Sequence, residues 1–479
     1  MVLVRTRFAP SPTGEMHIGN LRVAIFNYLF ARKHGGAFIV RVEDTDAERN
    51  VEGSLLSILD DLRWAGLVWD EGPDIGGPSE PYLQSQRQER YARRAEELLR
   101  TGHAYHCFCA EDAGEAETRE DRTAAGCGAG CRELTPEEAV ARASQHPSSS
   151  ALRFAVPDTK ITVTDYVRGP IAFNSNDISD FIVLRRDGRA TYNFAVVVDD
   201  ADMEITHVIR GAGHLSNTPK QALLFDALGH DRPVFVHLPT VLNKDGGKLS
   251  KRTGAPGVSQ LRADGFHPQG VVNYLSLLGW SPGDDSEIFS LEELAERLDL
   301  EGVGASNTSF DPDKMRWVSS QHIAKMSVDE ITVAAGAYLD RSRFPLGDLE
   351  LRLAIDAIRS RLHTFGEING ALSLLFPSED VLAAAHGELA GERAEARPVL
   401  EAVRASLEAL EPWSAEAASA AIREIGQELN VRGPSLFHPV RLALCGDRSG
   451  PELAKVIAAV GRERTLGRLA EAIVQLSAA

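Results

Sequence analysis

Three groups of residues in this chain combine side-chain types and spacing that suit chemistry. The first is Lys248-Leu-Ser-Lys-Arg252, three cations and a hydroxyl set among Gly246, Gly247 and Gly254. Cationic donors make charge-assisted hydrogen bonds to anions, and glycine leaves the backbone free to move, so the loop suits a mobile clamp on phosphate oxygens. A solvated basic turn is the alternative. The second is RTRFAPSPTGEMHIGN, residues 5–20, a short strand, a loop stiffened by Pro10 and Pro12, and the first turn of a helix. The N–H groups and positive dipole end of that helix suit a phosphate near Gly19, with His17 at the same point. A tight strand-to-helix turn whose glycines only close the corner is the plainer reading. The third is Cys107-Phe-Cys109 with Cys127 and Cys131, which together could supply a tetrahedral thiolate set for zinc. His103 and His106 are rival ligands, and reduced structural cysteines are the alternative.

The elements that must position these groups are legible in outline. Residues 2–8 alternate apolar and basic, as a strand with one buried face does. The run LRVAIFNYLFARKHGG continues the HIGN turn as a helix apolar on more than one side, stopped by Gly35-Gly36. AFIVRVEDTD is then a short strand ending in Glu43, Asp44 and Asp46. Strand, helix and strand in this order predict a parallel sheet, whose ligands bind beyond the carboxyl ends of the strands. Loop 9–19 and the acids would meet there. Residues 53–65, 84–101 and 133–145 read as helices, and ALRFAVPD, KITVTDYVRGPIAF and DFIVLRRDGRATY as short strands of an insertion. FAVVVDD reads as the main sheet resuming, ITHVIRG and VFVHLPTVLN as further strands, and NTPKQALLFDALG as a helix with Pro219 at its first position. From about Pro268 onward the pattern is helical, and Cys445 in LALCG reads as a core residue.

Composition bounds the class. A chain of 479 residues exceeds one core and predicts two to four domains. A net charge of −18 argues against a protein that coats nucleic acid non-specifically, though a local basic face is compatible with it. Without a charged-then-apolar leader or a long apolar run, the expectation is a cytoplasmic protein. Neither a P-loop nor a GxGxxG fingerprint is present: Leu242 stands where the first P-loop glycine belongs, and Cys131 where the third glycine after Gly126 and Gly128 belongs.

HIGN in the first strand-to-helix turn, with KLSKR after the last strand, resembles the two signature motifs of class I aminoacyl-tRNA synthetases. RFAPSPTGEMHIGN, FIVRVEDTD, EGPDIGGP, PYLQSQR, TYNFAVVVDD, ITHVIRG and KLSKR, followed by FDPDKMRWV, PVRLALCG and SGPELAKVIAAVGRER, narrow the resemblance to bacterial glutamyl-tRNA synthetases over nearly the whole chain. The resemblance implies an α/β fold: a Rossmann-type parallel sheet split by an α/β insertion, then α-helical C-terminal domains. It implies catalytic halves at 1–100 and 191–250, an acceptor-stem insertion with a zinc site at 101–190, and a KLSKR-loop and stem-contact domain at 251–325. Helical anticodon-binding domains follow at 326–382 and 383–479.

The implied reaction joins L-glutamate to tRNA(Glu) through glutamyl-adenylate, with ATP and Mg2+ as partners, one structural Zn2+, and a monomeric enzyme. His17, Lys248, Ser250 and Lys251 would be catalytic; Pro10, His17, Gly19, Asn20, Lys248, Lys251 and Arg252 would hold ATP. Arg7, Ser11, Glu43, Tyr192 and Arg210 would surround glutamate, and Arg359 and Arg361 would meet tRNA. For zinc the family uses a CxC pair and a later cysteine, matched by Cys107, Cys109 and Cys131, with Cys127 as fourth thiolate because Glu133 stands at the usual last position. Two further departures stand out: Asn20 replaces the final histidine of HIGH, and Gly211-Ala212-Gly213-His214 replaces Gly-Glu-Asp-His. The alternatives are a relative that also charges tRNA(Gln) and a non-catalytic tRNA-binding paralogue.

Overall fold

The computed structural model describes residues 3–46, 48–108, 130–145, 150–174, 178–247, 249 and 256–478. They form two compact units: Met1–Ser259 with Val272–Asp311, and Gln260–Val271 with Pro312–Ala479.

The first unit is built on a mostly parallel sheet. Its opening elements are β1 (Arg5–Phe8), α1 (Ile18–Lys33) and β2 (Ala37–Val40), with β1 and β2 parallel from Arg5↔Ala37 to Phe8↔Val40. Helices α2 (Ser54–Trp64) and α3 (Gln88–Arg100) follow. The insertion contributes β3 (Ala104–Cys107), α4 (Pro136–Gln145), β4 (Ala151–Phe154), the hairpin β5 (Lys160–Asp165) and β6 (Gly169–Asn174), and β7 (Phe181–Leu184). Strands β3, β4 and β7 make a separate antiparallel sheet, whereas β5 joins the main sheet by a parallel pairing of Asp165 with Phe235. The chain then returns as α5 (Tyr192–Asp202), β8 (His207–Gly211), α6 (Thr218–Ala227) and β9 (Val234–Leu238), with β8 and β9 parallel.

Thr206, just before β8, ties that strand to β1: its N–H donates to the Arg5 carbonyl at 3.0 Å, and its Oγ1 accepts from Arg5 N–H at 2.9 Å. Residues 69–71 flank the other side of β2, through Asp70 N–H to Phe38 O and Val40 N–H to Glu71 O. Strand order therefore reverses between β1 and β8, which opens a crevice at their carboxyl ends. Helix α1 spans this point: Asn27 accepts from Thr6 Oγ1 through its carbonyl and donates to the Ile209 carbonyl.

One expectation is overturned. FAVVVDD is not a strand but the body of α5, with every residue from Phe194 to Asp200 buried. A helix enclosed on all sides has no 3.6-residue apolar period, and its valines carry β propensity, so packing overrode the local signal. The other main-sheet elements lie where the periodicity put them, including α6 with its proline in the first turn.

The second unit is helical through its C-terminal part, from Pro312–Lys325 to Arg462–Ala478. Its core is built of apolar side chains from successive helices, Ile355, Leu400, Val440, Ile457 and Leu469 among them, and includes Cys445. No helix among the described residues is long and apolar enough to cross a membrane.

Candidate active site

The crevice between β1 and β8 has two walls. On one, Arg7 at the carboxyl end of β1 is 4% exposed, and its Nε and Nη2 donate to the two carboxylate oxygens of Asp200 at 3.0 and 3.3 Å. Asp200 also accepts from Arg41, which is fully buried and reaches Glu43 Oε1 at 3.5 Å. The neighbouring Asp199 accepts from Arg87, Gln84 and Tyr91. Two arginines thus share one carboxylate, and each buried charge meets an opposite one. Burial opposes the charge on Asp200, but Arg41 and Arg7 hold its carboxyl below the usual range. Glu43 differs: burial pushes its carboxyl up to about 7, reinforced by Asp200 and Asp199 and opposed by Arg41 and Arg7.

On the other wall, Arg210 of β8 is 5% exposed. Its Nε donates to His237 Nε2 at 3.1 Å, Nη1 to Gln221 Oε1 at 2.7 Å and Nη2 to Thr218 Oγ1 at 2.9 Å. All three acceptors are uncharged groups. Burial lowers the Arg210 guanidinium to about 10, with Arg7 acting in the same direction and Tyr192, Asp200 and Glu43 opposing, so it stays cationic at neutral pH. Tyr192, the first residue of α5, feels Glu43, Arg210 and Arg7, and burial raises its phenol, which keeps it neutral. Its hydroxyl lies 3.2 Å from His214 Nδ1. The structure therefore assembles Arg7, Glu43, Tyr192 and Arg210, from four separate segments, into one electrostatic neighbourhood.

Loop 9–17 is stitched to the acid-bearing segment. The Pro10 carbonyl accepts from Glu43 N–H, and that of Pro12 from Val51 N–H, both at 2.9 Å. Ser11 lies exposed between them. His17 is the N-cap of α1, and its Nδ1 accepts from the N–H groups of Gly19 and Asn20 at 3.0 and 3.3 Å. The helix N-terminus is thus capped by the chain's own imidazole, where the sequence suggested N–H groups open to phosphate. An accepting Nδ1 leaves the ring proton on Nε2. Gly19 serves the same arrangement: a Cβ there would stand 2.9 Å from His17 Cε1.

Lys248, Ser250, Lys251 and Arg252 lie outside the described residues, but their flanks are in view. Asn243 Oδ1 caps a tight turn to Gly247 N–H, and Leu249 N–H returns to the Val241 carbonyl. Beyond them Gly257 pairs with His17, and Val258 N–H donates to the Met16 carbonyl at 2.9 Å. The segment that follows the second motif therefore pairs with the first motif.

Cys109 and Cys127 also lie outside the described residues. Cys107 and Cys131 are buried, and the turn carrying Cys131 packs on β3, which carries Cys107. Among the described residues no group of three His, Cys, Asp or Glu could hold a metal. In the second unit, Arg359 pairs with Asp356, and exposed Arg361 donates to the Gly450 carbonyl.

Residue-level sequence reasoning missed Arg41, Asp199, Asp200, His214, Thr218, Gln221 and His237. The one available signal was the acid pair closing an apolar run, Asp199-Asp200, which a buried helix can carry only if cations meet it.

Comparison with known proteins follows the same division. Residues 3–317 match the family described as "tRNA synthetases class I (E and Q), catalytic domain", and residues 325–473 match "Anticodon binding domain". A protein of Desulforamulus reducens named glutamate–tRNA ligase is 40% identical, over 98% of this chain and 99% of that protein. A glutamate–tRNA ligase of Desulforudis audaxviator is 42% identical, over 100% of this chain and 98% of its own. Among solved structures, a glutamate tRNA ligase from Elizabethkingia meningosepticum, crystallised in complex with its amino acid, superposes with a TM-score of 0.83. It is 32% identical, and the match covers 99% of both chains.

Proposed function

The chain belongs to the class I tRNA synthetases of the glutamate and glutamine group, and from that premise we propose that it ligates L-glutamate to tRNA(Glu). The carrying observation is Arg210, a buried cation whose three hydrogen bonds all go to uncharged acceptors. Such a group is completed by an anionic partner, and the side-chain carboxylate of glutamate is the right charge and shape for a guanidinium. Glutamine offers no charge there and leaves the cation uncompensated. Arg7, already engaged by Asp200, supports the opposite wall. Glu43, ionised, takes the substrate ammonium, while Tyr192 and Ser11 close the site around the amino acid.

The reaction runs in two steps. The α-carboxylate of glutamate attacks the α-phosphorus of ATP; the bond to the bridging oxygen breaks, and pyrophosphate leaves. A hydroxyl of the terminal tRNA ribose then attacks the carbonyl carbon of glutamyl-adenylate, and AMP leaves. No covalent enzyme intermediate is needed, so catalysis rests on positioning and charge stabilisation. His17 contributes Nε2–H as a donor to phosphate oxygens, with Pro10, Gly19 and Asn20 shaping its surroundings. Lys248, Lys251 and Arg252 neutralise the charge growing on pyrophosphate, and the Ser250 hydroxyl adds a donor. ATP enters as its Mg2+ complex, a substrate. Ala212 and Gly213, at the end of β8, offer no carboxylate, so recognition of the nucleoside there falls to the backbone.

Cys107, Cys109, Cys127 and Cys131 form the proposed thiolate set for one structural zinc in the insertion. The buried pair Cys107 and Cys131 fits half of such a set. Metal analysis of purified protein tests it: one zinc per chain is expected, and none would leave the cysteines structural. Arg359 and Arg361 are proposed to contact tRNA from the helical unit. The function as a whole is tested by ATP-dependent charging of tRNA(Glu), tRNA(Gln) and tRNA(Asp) with glutamate and with glutamine. Glutamylation of tRNA(Glu) is expected, and its absence would overturn the reading. Glutamylation of tRNA(Gln) as well would mark a wider tRNA specificity.

A further inference from the structure

Arg210 is held in an unusual manner for a buried arginine, and the means of holding it extends two strands away. Its register partner across β8 and β9 is His237, which is fully buried. His237 Nδ1 lies 2.6 Å from Asp165 Oδ2, and the same oxygen accepts the His237 backbone N–H at 3.1 Å. Burial lowers the His237 imidazole, and Arg210 and Arg168 act in the same direction, against the opposing pull of Asp165. The ring is therefore neutral, with its one proton on Nδ1 facing the carboxylate. That leaves the Nε2 lone pair to accept from the Nε–H of Arg210 at 3.1 Å, with the Thr218 hydroxyl also 3.2 Å from the same atom. Asp165 is itself fixed. Its Oδ1 accepts from Val167 and Arg168 N–H at 3.1 and 2.9 Å, in the turn that links β5 to β6.

We propose that Asp165 and His237 form a positioning relay that fixes the orientation of Arg210 through a neutral acceptor, leaving the guanidinium without a hydrogen-bonded carboxylate until that of the substrate side chain arrives. The proposal rests on the reading that Arg210 binds that carboxylate. The logic lies in the choice of partner. A carboxylate beside Arg210 would orient it equally well but would cancel the charge, as Asp200 does for Arg7. An apolar neighbour would preserve the charge but would leave a buried Nε–H without an acceptor and the guanidinium held only at its two terminal nitrogens. A neutral imidazole does neither, provided that its tautomer is fixed. Asp165 fixes it from the far side of the ring, without touching Arg210. Thr218 and Gln221 complete the same pattern on the two terminal nitrogens.

The test separates positioning from folding by comparing two substrates of one enzyme. In tRNA charging, His237→Leu should raise KM for glutamate by roughly tenfold or more and leave KM for ATP within about twofold. The preference for glutamate over glutamine should fall in step. His237→Gln, whose amide oxygen replaces the Nε2 acceptor, should recover part of the loss. Asp165→Asn should reproduce part of the defect: with its NH2 towards Nδ1 it moves the ring proton to Nε2, where it faces the Arg210 N–H, and turned the other way it sets that NH2 against the Val167 and Arg168 N–H groups that fix the side chain. If His237→Leu fails to fold, His237→Gln and Asp165→Asn carry the same readout. An unchanged KM for glutamate in all three variants, or a joint rise for glutamate and ATP, would overturn the relay. Arg210→Lys is the control: if it leaves KM for glutamate unchanged, the assignment of Arg210 fails, and the relay with it. If Arg210→Lys raises KM but the His237 variants do not, only the relay fails.

Discussion

The two walls of the crevice use the same residue in opposite ways. Arg7 and Arg210 are both nearly fully buried, one on each side of the point where strand order reverses. Arg7 is paired with Asp200 and tied through it to Arg41 and, beyond, to Asp199 and Arg87. Arg210 meets an imidazole, an amide and a hydroxyl. One wall is a closed set of charges that supports the structure; the other presents a charge that substrate must complete. A count of arginines in the site would not reveal this. The identity of the acceptors does, because a buried cation with neutral partners keeps its field.

That contrast can be broken from either side. The largest effect is expected on the open wall. Arg210→Ala should lower kcat/KM for glutamate by about 10³-fold or more, since a site built to pair a charge loses its main interaction. Circular dichroism and thermal melting should show the fold retained. On the closed wall the expected damage is to stability. Asp200→Asn removes the charge that Arg7 and Arg41 share, and breaking a buried pair costs about 3–5 kcal/mol. Denaturant unfolding would measure it, and an unchanged midpoint would show that the charges are not coupled as the hydrogen bonds indicate.

Smaller effects sharpen the comparison at the ATP side and at the ammonium. Gly19→Ala adds a good helix former to α1, which by propensity alone favours folding by about 0.5–1 kcal/mol. Its Cβ would nevertheless press on the His17 ring. Stability held or raised, with kcat down by about tenfold from the displaced imidazole, is the expected pair of results. Normal kcat would remove His17 orientation from the mechanism. For Glu43, whose carboxyl sits near 7 in the free site, the ionised form binds the substrate ammonium. Its ionised fraction rises with pH, so KM for glutamate should fall by several-fold from pH 6 to pH 8, an effect of the free enzyme. Glu43→Gln should raise KM and flatten that dependence.

The sequence made the outline of this site legible and hid its wiring, for physical reasons. Strands such as Arg5–Phe8 and Val234–Leu238, and turns marked by Pro and Gly, follow from local chemistry. Helix α5 did not, because a fully buried helix carries no amphipathic period. The partners that decide the roles of Arg7 and Arg210 are contacts at long range. Asp200 is 193 positions from Arg7, and Asp165 is 72 from His237. Composition and spacing cannot report such pairings. The family resemblance supplied Arg7, Ser11, Glu43, Tyr192 and Arg210 as a set, but only the structure distinguishes the two arginines electrostatically. At His17, the motif suggested open helix N–H groups, and the fold uses the histidine itself to cap them.

The central claim is that the uncompensated charge of Arg210 selects a carboxylate over an amide. Its most direct test is the ratio of kcat/KM for glutamate to that for glutamine in charging tRNA(Glu), measured for the wild-type chain and for Arg210→Gln. The expected ratio is on the order of 10³ or more for the wild type and within about tenfold of unity for the variant. A ratio unchanged by the substitution would contradict the account, because discrimination would then reside on the wall where every charge is already paired.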